Sequence, residues 1–260
     1  MGMSEKVSWE KNDQIALVTF NQVTIDADFI KDFHRKMDEM EQDGEVRVIV
    51  IKGAAGHIFF AGYDINLMVQ GENVDFSYLS GKTFEVQQLV NRIEYCPKPV
   101  IAVVDGFAAG GGCEMVLACD IVYASDKAMF GTPEVKIGLI PAAGGTIRLP
   151  RLAGKHRAME MILTGRMYTA QQACAMGIVN QVFSQEELLE KALKTAKTIA
   201  GNAPLAVRAA KASIVQSLTL LDKQFEVITV EENVKCLQSS DIKEGAQAFV
   251  ENRKPRFKGQ

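Results

Sequence analysis

Val100-Ile-Ala-Val-Val-Asp105-Gly106-Phe-Ala-Ala-Gly110-Gly111-Gly112-Cys113-Glu114-Met115 reads as a buried strand, a glycine-rich turn and the start of a helix. An apolar, β-branched run without polar alternation suits a strand covered on both faces. Glycines at the strand-to-helix junction permit a sharp turn and let a ligand approach the main chain, and the N–H groups of the following helical turn favour negative charge. The junction is therefore a place to stabilise an anion. It is not a standard nucleotide loop: no Lys-Ser/Thr pair follows, and Met115 occupies the last glycine position of a G-x-G-x-x-G pattern.

The same design occurs upstream, where Val48-Ile-Val-Ile-Lys-Gly53-Ala-Ala-Gly56 is again a β-branched run followed by glycine and small residues. Around the two runs, Ile15–Phe20 reads as a strand and Asp26 opens a helix with Phe29, Ile30, Phe33, Met37 and Met40 on one face. Thr83 to Glu94 has a helical pattern ended by Pro97-Lys-Pro99, and Ile121 to Ala124 reads as a further strand. Strand and helix alternate, so the fold class is α/β with parallel strands and crossover helices. From Ser184 the pattern turns helical: Ser184-x-x-Glu187 opens a stripe of Leu188, Leu189, Ala192, Leu193, Ala196 and Ile199, and Pro204 starts another helix. The expected layout is a body over residues 1–183 and a helical region over 184–260.

Composition bounds what this chain does. Its 260 residues are 47% hydrophobic and 23% charged, with a formal net charge of -3, so no bulk field draws it to nucleic acid or an anionic bilayer. No apolar run approaches the roughly 18 residues of a membrane helix, and the first residues resemble neither a signal nor a transit peptide. A cytoplasmic location is expected. The five cysteines are widely spaced with no C-x-x-C pair, and no two of the three histidines stand at i, i+4, so no metal site is expected.

Two carboxylates are candidates for chemistry. Glu114 falls in the first turn of its helix among Cys113, Met115, Val116 and Leu117, where burial raises a carboxyl pKa and suits it to moving protons near neutrality. Glu134, in Phe130-Gly-Thr-Pro-Glu-Val, sits at a second loop-to-helix junction. Such a pair can divide a water addition, one acid deprotonating water and the other supplying a proton to carbon. A further turn at Phe60-Ala61-Gly62-Tyr63-Asp64-Ile65 follows the upstream repeat, so N–H groups from equivalent loops could converge on one oxygen.

Four motifs in order, A-G-x-D-I at 61–65, G-G-G-C-E at 110–114, G-x-P-E at 131–134 and I-P-x-A-G-G-T-x-R-L at 140–149, resemble the enoyl-CoA hydratase/isomerase, or crotonase, superfamily. The resemblance covers essentially the whole chain, tail included. It implies a spiral of ββα repeats, a C-terminal helical region that builds homotrimers or homohexamers, and acyl-CoA thioester substrates, with coenzyme A part of the substrate and no separate cofactor. Carried over residue by residue, it places the oxyanion donors on the backbone N–H of Tyr63 and Gly111. Glu114 matches the acid that activates water and Glu134 the acid that protonates the α-carbon. Substrate and CoA contacts fall on Thr24, Ile25, Ala61, Gly62, Asp64, Ile65, Gly110, Ala142, Phe249 and Lys254.

Three departures stand out. Tyr63 replaces a small residue, Ala142 replaces a glycine whose backbone helps hold water, and Asn252 stands where a lysine is common, leaving Arg253 or Lys254 to compensate. Both acids together favour reversible syn hydration of a 2-enoyl-CoA. The alternatives are a double-bond isomerase, a dienoyl-CoA hydratase, or a non-catalytic RNA-binding or assembly protein that uses the basic tail on this fold.

Overall fold

A computed structural model describes residues 5–54, 58–63, 76–218, 239–241, 244–245, 248, 251 and 253–260. The chain order begins β1 (Val7–Asn12), β2 (Ile15–Phe20), β3 (Thr24–Ile25), α1 (Ala27–Gln42), β4 (Val48–Gly53), β5 (Ile58–Phe60), β6 (Gly62–Tyr63) and α2 (Phe76–Glu94). It continues with β7 (Val100–Val104), β8 (Phe107–Ala109), α3 (Gly111–Leu117), β9 (Ile121–Ser125), β10 (Met129–Gly131) and a 3-10 turn (Pro133–Ile137). Then come α4 (Gly145–Ala153), α5 (Lys155–Thr164), β11 (Tyr168–Thr169), α6 (Ala170–Ala175), β12 (Gln181–Phe183), α7 (Gln185–Ala200) and α8 (Pro204–Ser217).

Six strands form the main sheet in the order β1-β2-β4-β7-β9-β12, parallel except for the antiparallel β1–β2 edge. A second sheet, ordered β11-β10-β8-β5, takes the strand that follows β4, β7 and β9 in turn, and β3 pairs with β6 as a two-stranded ribbon. The chain therefore advances as strand in one layer, strand in the other, then helix. That repeat, seen in β4–β5–β6–α2 and β7–β8–α3, is the spiral of ββα units expected from the motifs.

Alternate residues of each central strand supply two separate cores, which is why Val48–Ile51 and Val100–Val104 show no polar alternation. Val48, Val50, Ile101, Val103 and Tyr123 point to one face, where α7 covers them with Leu188, Ala192, Ala196 and Ala200. Ile49, Ile51, Val100, Ala102, Val104 and Val122 join the larger core on the other face. Asp26 caps α1 through Phe29 N–H at 2.7 Å, and Ser184 caps α7 through Glu187 N–H at 3.4 Å. The helix from Ser184 thus closes the sheet, and the following α8 is tied to the body by Lys211. That buried lysine donates to Asp120 at 2.7 Å and to the Lys98 carbonyl at 3.1 Å. Of the tail, Arg47 reaches the carbonyl of Phe257 at 2.8 Å, and most of the expected helical region beyond residue 218 lies outside the described residues.

An aromatic cluster leads toward the site. Phe20, Phe29, Phe33, Phe59 and Phe60 are almost fully buried, with the Phe29 and Phe60 ring centroids 4.9 Å apart. Packing at this density gives β5 a fixed exit into Ala61–Gly62–Tyr63.

Candidate active site

Gly110 ends the turn after β8 with φ 54° and ψ -128°, a conformation that disfavours any side chain. Its N–H donates to the Gly131 carbonyl at 2.9 Å and its carbonyl accepts from Glu114 N–H at 3.0 Å. A Cβ built on Gly110 would lie 3.3 Å from Glu134 Oε1. One glycine thus ties the backbone of the first acid to the carboxylate of the second. The paired strands β8 and β10, with Ala109 opposite Gly131, deliver the two acids from neighbouring loops.

The oxyanion candidates also meet. A Cβ on Gly62 would come within 2.5 Å of Gly111 N, and one on Gly111 within 3.7 Å of Tyr63 N. Gly62 has φ 90°, so both its conformation and its surroundings demand glycine. A Cβ on Gly112 would collide with the Phe60 carbonyl, which shows how closely α3 approaches β5. Thr24 and Ile25 lie opposite Gly62 and Tyr63 in the β3–β6 ribbon, and Ala61 N–H donates to the Val23 carbonyl at 2.7 Å. The Tyr63 side chain is partly buried against the main core.

Glu114 is only 3% exposed, and its Oε1 accepts Gly145 N–H at 2.8 Å. Burial pushes its carboxyl up to about 7; Glu134 pushes the same way, while the N–H groups of Gly145 and Ala143 and the Arg148 charge hold it down. Glu134 occupies the first turn of the 3-10 segment behind Pro133, and burial raises its carboxyl too. Its Oε2 is buried without a hydrogen-bond partner among the described residues. An orphaned carboxylate oxygen in such a site is suited to exchanging a proton with something bound there.

Sequence reasoning does not single out Arg148, Gln87, Asn91 and Glu94, which surround the loop that holds Glu114. Arg148 is buried, donates to the Ala143 carbonyl at 3.1 Å, and pairs with Glu94 at 2.5 Å. Its guanidinium lies where a Cβ on Gly144 would fall, and Gly144 has φ 114°. The arginine of the 140–149 motif was the available signal. Ala142 is half-buried, its carbonyl accepting from Gln87 at 2.7 Å. At the tail, Arg253 is committed to Glu244 and Glu251 at 2.7 and 2.5 Å and holds the Glu244 carboxyl down at about 2, while Lys254 is exposed. Asp64, Ile65 and Phe249 lie outside the described residues.

With this geometry in place, comparison with known proteins defines the class. Residues 10–260 match the family described as Enoyl-CoA hydratase/isomerase. The chain is 36% identical over 252 residues to the short-chain-enoyl-CoA hydratase of Clostridium acetobutylicum, covering 94% of each protein. It is 34% identical over 265 residues to a carnitinyl-CoA dehydratase of Salmonella enteritidis, covering 99% of this chain and 100% of that one. A crystal structure of an enoyl-CoA hydratase from Bacillus anthracis superposes with a TM-score of 0.93 at 31% identity, covering 98% of this chain and 100% of that one. The chain belongs to the enoyl-CoA hydratase/isomerase family and has the crotonase fold. Among the described residues, no helix is long and apolar enough to cross a membrane.

Proposed function

We propose that this protein is an enoyl-CoA hydratase, catalysing reversible syn addition of water to a 2-enoyl-CoA thioester. The observation that carries the reading is the cluster around Gly110–Gly111: the Glu134 carboxylate lies beside Gly110, the Glu114 carboxyl feels its charge, and the Gly111 and Tyr63 nitrogens sit on adjoining loops. Addition at the β-carbon drives charge onto the thioester oxygen, and the N–H groups of Tyr63 and Gly111 stabilise it without waiting for solvent to reorganise. Glu114 takes a proton from water as the oxygen bonds to the β-carbon. Glu134 gives a proton to the α-carbon as the enolate collapses. The proton Glu114 gained and the one Glu134 lost balance by transfer through solvent before the next turnover.

The environments fit these roles. Glu114, held near neutrality, changes protonation state at low cost at working pH, and the orphaned Glu134 Oε2 has no competing donor among the described residues. In this reading Thr24, Ile25, Ala61, Gly62, Gly110 and Ala142 line the thioester path, Lys254 meets CoA phosphates, and coenzyme A enters only as part of the substrate. Association of the C-terminal region into trimers or hexamers and a cytoplasmic location complete the proposal.

A spectrophotometer separates the readings. Hydration of crotonyl-CoA removes the conjugated enoyl absorbance, the expected result. An isomerase leaves that substrate unchanged and creates the absorbance from a 3-enoyl-CoA, which would overturn the proposal. A dienoyl-CoA hydratase acts on the conjugated diene and spares crotonyl-CoA, and a binding protein turns over neither.

A further inference from the structure

Gln87, Asn91 and Glu94 follow one another at i, i+4 and i+7 on α2 and so share one helix face. Docking does not need that face, because Val86, Leu89, Val90 and Ile93 already bury the apolar side of α2 in the main core. All three polar side chains instead serve the loop at 141–145. Gln87 Nε2 donates to the Ala142 carbonyl at 2.7 Å. Asn91 Oδ1 and Glu94 Oε2 accept from Arg148 at 2.8 and 2.5 Å, and the other terminal nitrogen of Arg148 donates to the Ala143 carbonyl at 3.1 Å. The Glu94–Arg148 pair is 15% and 7% exposed, so water competes little for it.

Two consecutive carbonyls are thus held, Ala142 by α2 directly and Ala143 through Arg148 of α4, which α2 fixes. The Ala142 carbonyl and the Ala143 N–H belong to one planar unit and point in opposite directions. Fixing the oxygen on Gln87 aims that N–H at Glu114, whose charged form it favours together with Gly145 N–H.

We propose that Gln87, Asn91 and Glu94 are positioning residues for hydration: through Ala142 and Arg148 they set the loop that orients the Glu114 carboxylate. The inference rests on the hydratase reading and deepens it. It separates two reactions of the same site. Exchange of the α-proton of a saturated acyl-CoA needs Glu134 to take the proton, the C–H electrons passing into the enolate held by Tyr63 and Gly111, and then to return a deuteron. Water attack is absent from that exchange, so the orientation of Glu114 does not enter it.

The test is Gln87→Met, which keeps length and apolar contact but removes the donor, with Asn91→Leu as a second variant. Crotonyl-CoA hydration and α-deuterium uptake into butyryl-CoA in D2O are measured on each. Misplacing a reacting group by a fraction of an ångström to an ångström costs about ten- to a hundredfold, so kcat for hydration falls by that factor. Deuterium uptake stays within about twofold of the parent, since its interactions are untouched. Equal losses in both reactions, or no loss in either, overturn the proposal. Glu114→Gln run in parallel keeps the two readings apart. Hydration surviving in Glu114→Gln overturns the role of Glu114 and this proposal with it. Hydration lost there but intact in Gln87→Met and Asn91→Leu overturns this proposal alone.

Discussion

Glu114 and Glu134 leave neighbouring parallel strands at comparable distances from Ala109 and Gly131, yet the fold treats them differently. Glu114 stands on a regular helix, almost completely buried, with Gly145 N–H on one oxygen and a buried arginine behind the loop that supplies it. Glu134 stands on a short 3-10 turn, half-buried, with one oxygen lacking any partner among the described residues. The first acid is held; the second is offered. Holding suits a group that must orient a small molecule, and a bare oxygen suits a group whose task is to pass a proton to carbon.

The largest effect that bears on this contrast is removal of either carboxylate. Glu134→Gln should lower both hydration and α-proton exchange by about 10²–10⁴-fold, whereas Glu114→Gln should lower hydration by a similar factor and spare exchange. Loss of exchange in both variants would erase the distinction. Next is Gly62→Ala, which places a methyl against Gly111 N in a left-handed backbone and should cost about 10²–10³-fold in kcat by pushing the two donors apart. Gly44→Ala, whose added Cβ meets no atom of the described residues within 4 Å, is the control and should leave kcat unchanged.

Stability offers a third comparison. Because burial raises the Glu114 carboxyl from 4.5 to about 7, ionising it is harder in the folded state than in the unfolded chain. The protein is therefore relieved of that penalty below the unfolded value and loses stability as pH rises through the window from 4.5 to about 7. Glu114→Gln should unfold at higher denaturant at pH 8, by roughly 3 kcal/mol, with little difference at pH 4. The same ionisation should make hydration by the parent enzyme rise with pH through about 7, a limb absent in Glu114→Gln. The smallest effect is at the tail: Arg253→Ala breaks exposed pairs with Glu244 and Glu251 and should leave the melting temperature unchanged.

Much of this was legible in the sequence because local rules and tertiary structure agree. The uninterrupted β-branched runs at 48–51 and 100–104 read as buried strands, and they pair directly as β4 and β7. Gly110, Gly111 and Gly112 marked a junction whose turn and close packing exclude side chains. Burial of Glu114 followed from its apolar neighbours. What resisted reading was long-range and polar. Gln87 and Ala142 are 55 residues apart, and Arg148 and Glu94 are 54 apart. No periodicity signals such partners, since a polar helix face usually means solvent. The closure of the sheet by α7 was likewise set by contacts distant in the chain.

In the proposed hydration both acids serve the same face of the substrate, with the thioester oxygen gripped at the turn between them. Hydrating crotonyl-CoA in D2O and reading the relative configuration of the α-deuterium and β-hydroxyl by proton NMR tests it directly. The deuteron and the hydroxyl are expected to enter on the same face. Entry on opposite faces, or a random distribution of deuterium, would contradict it.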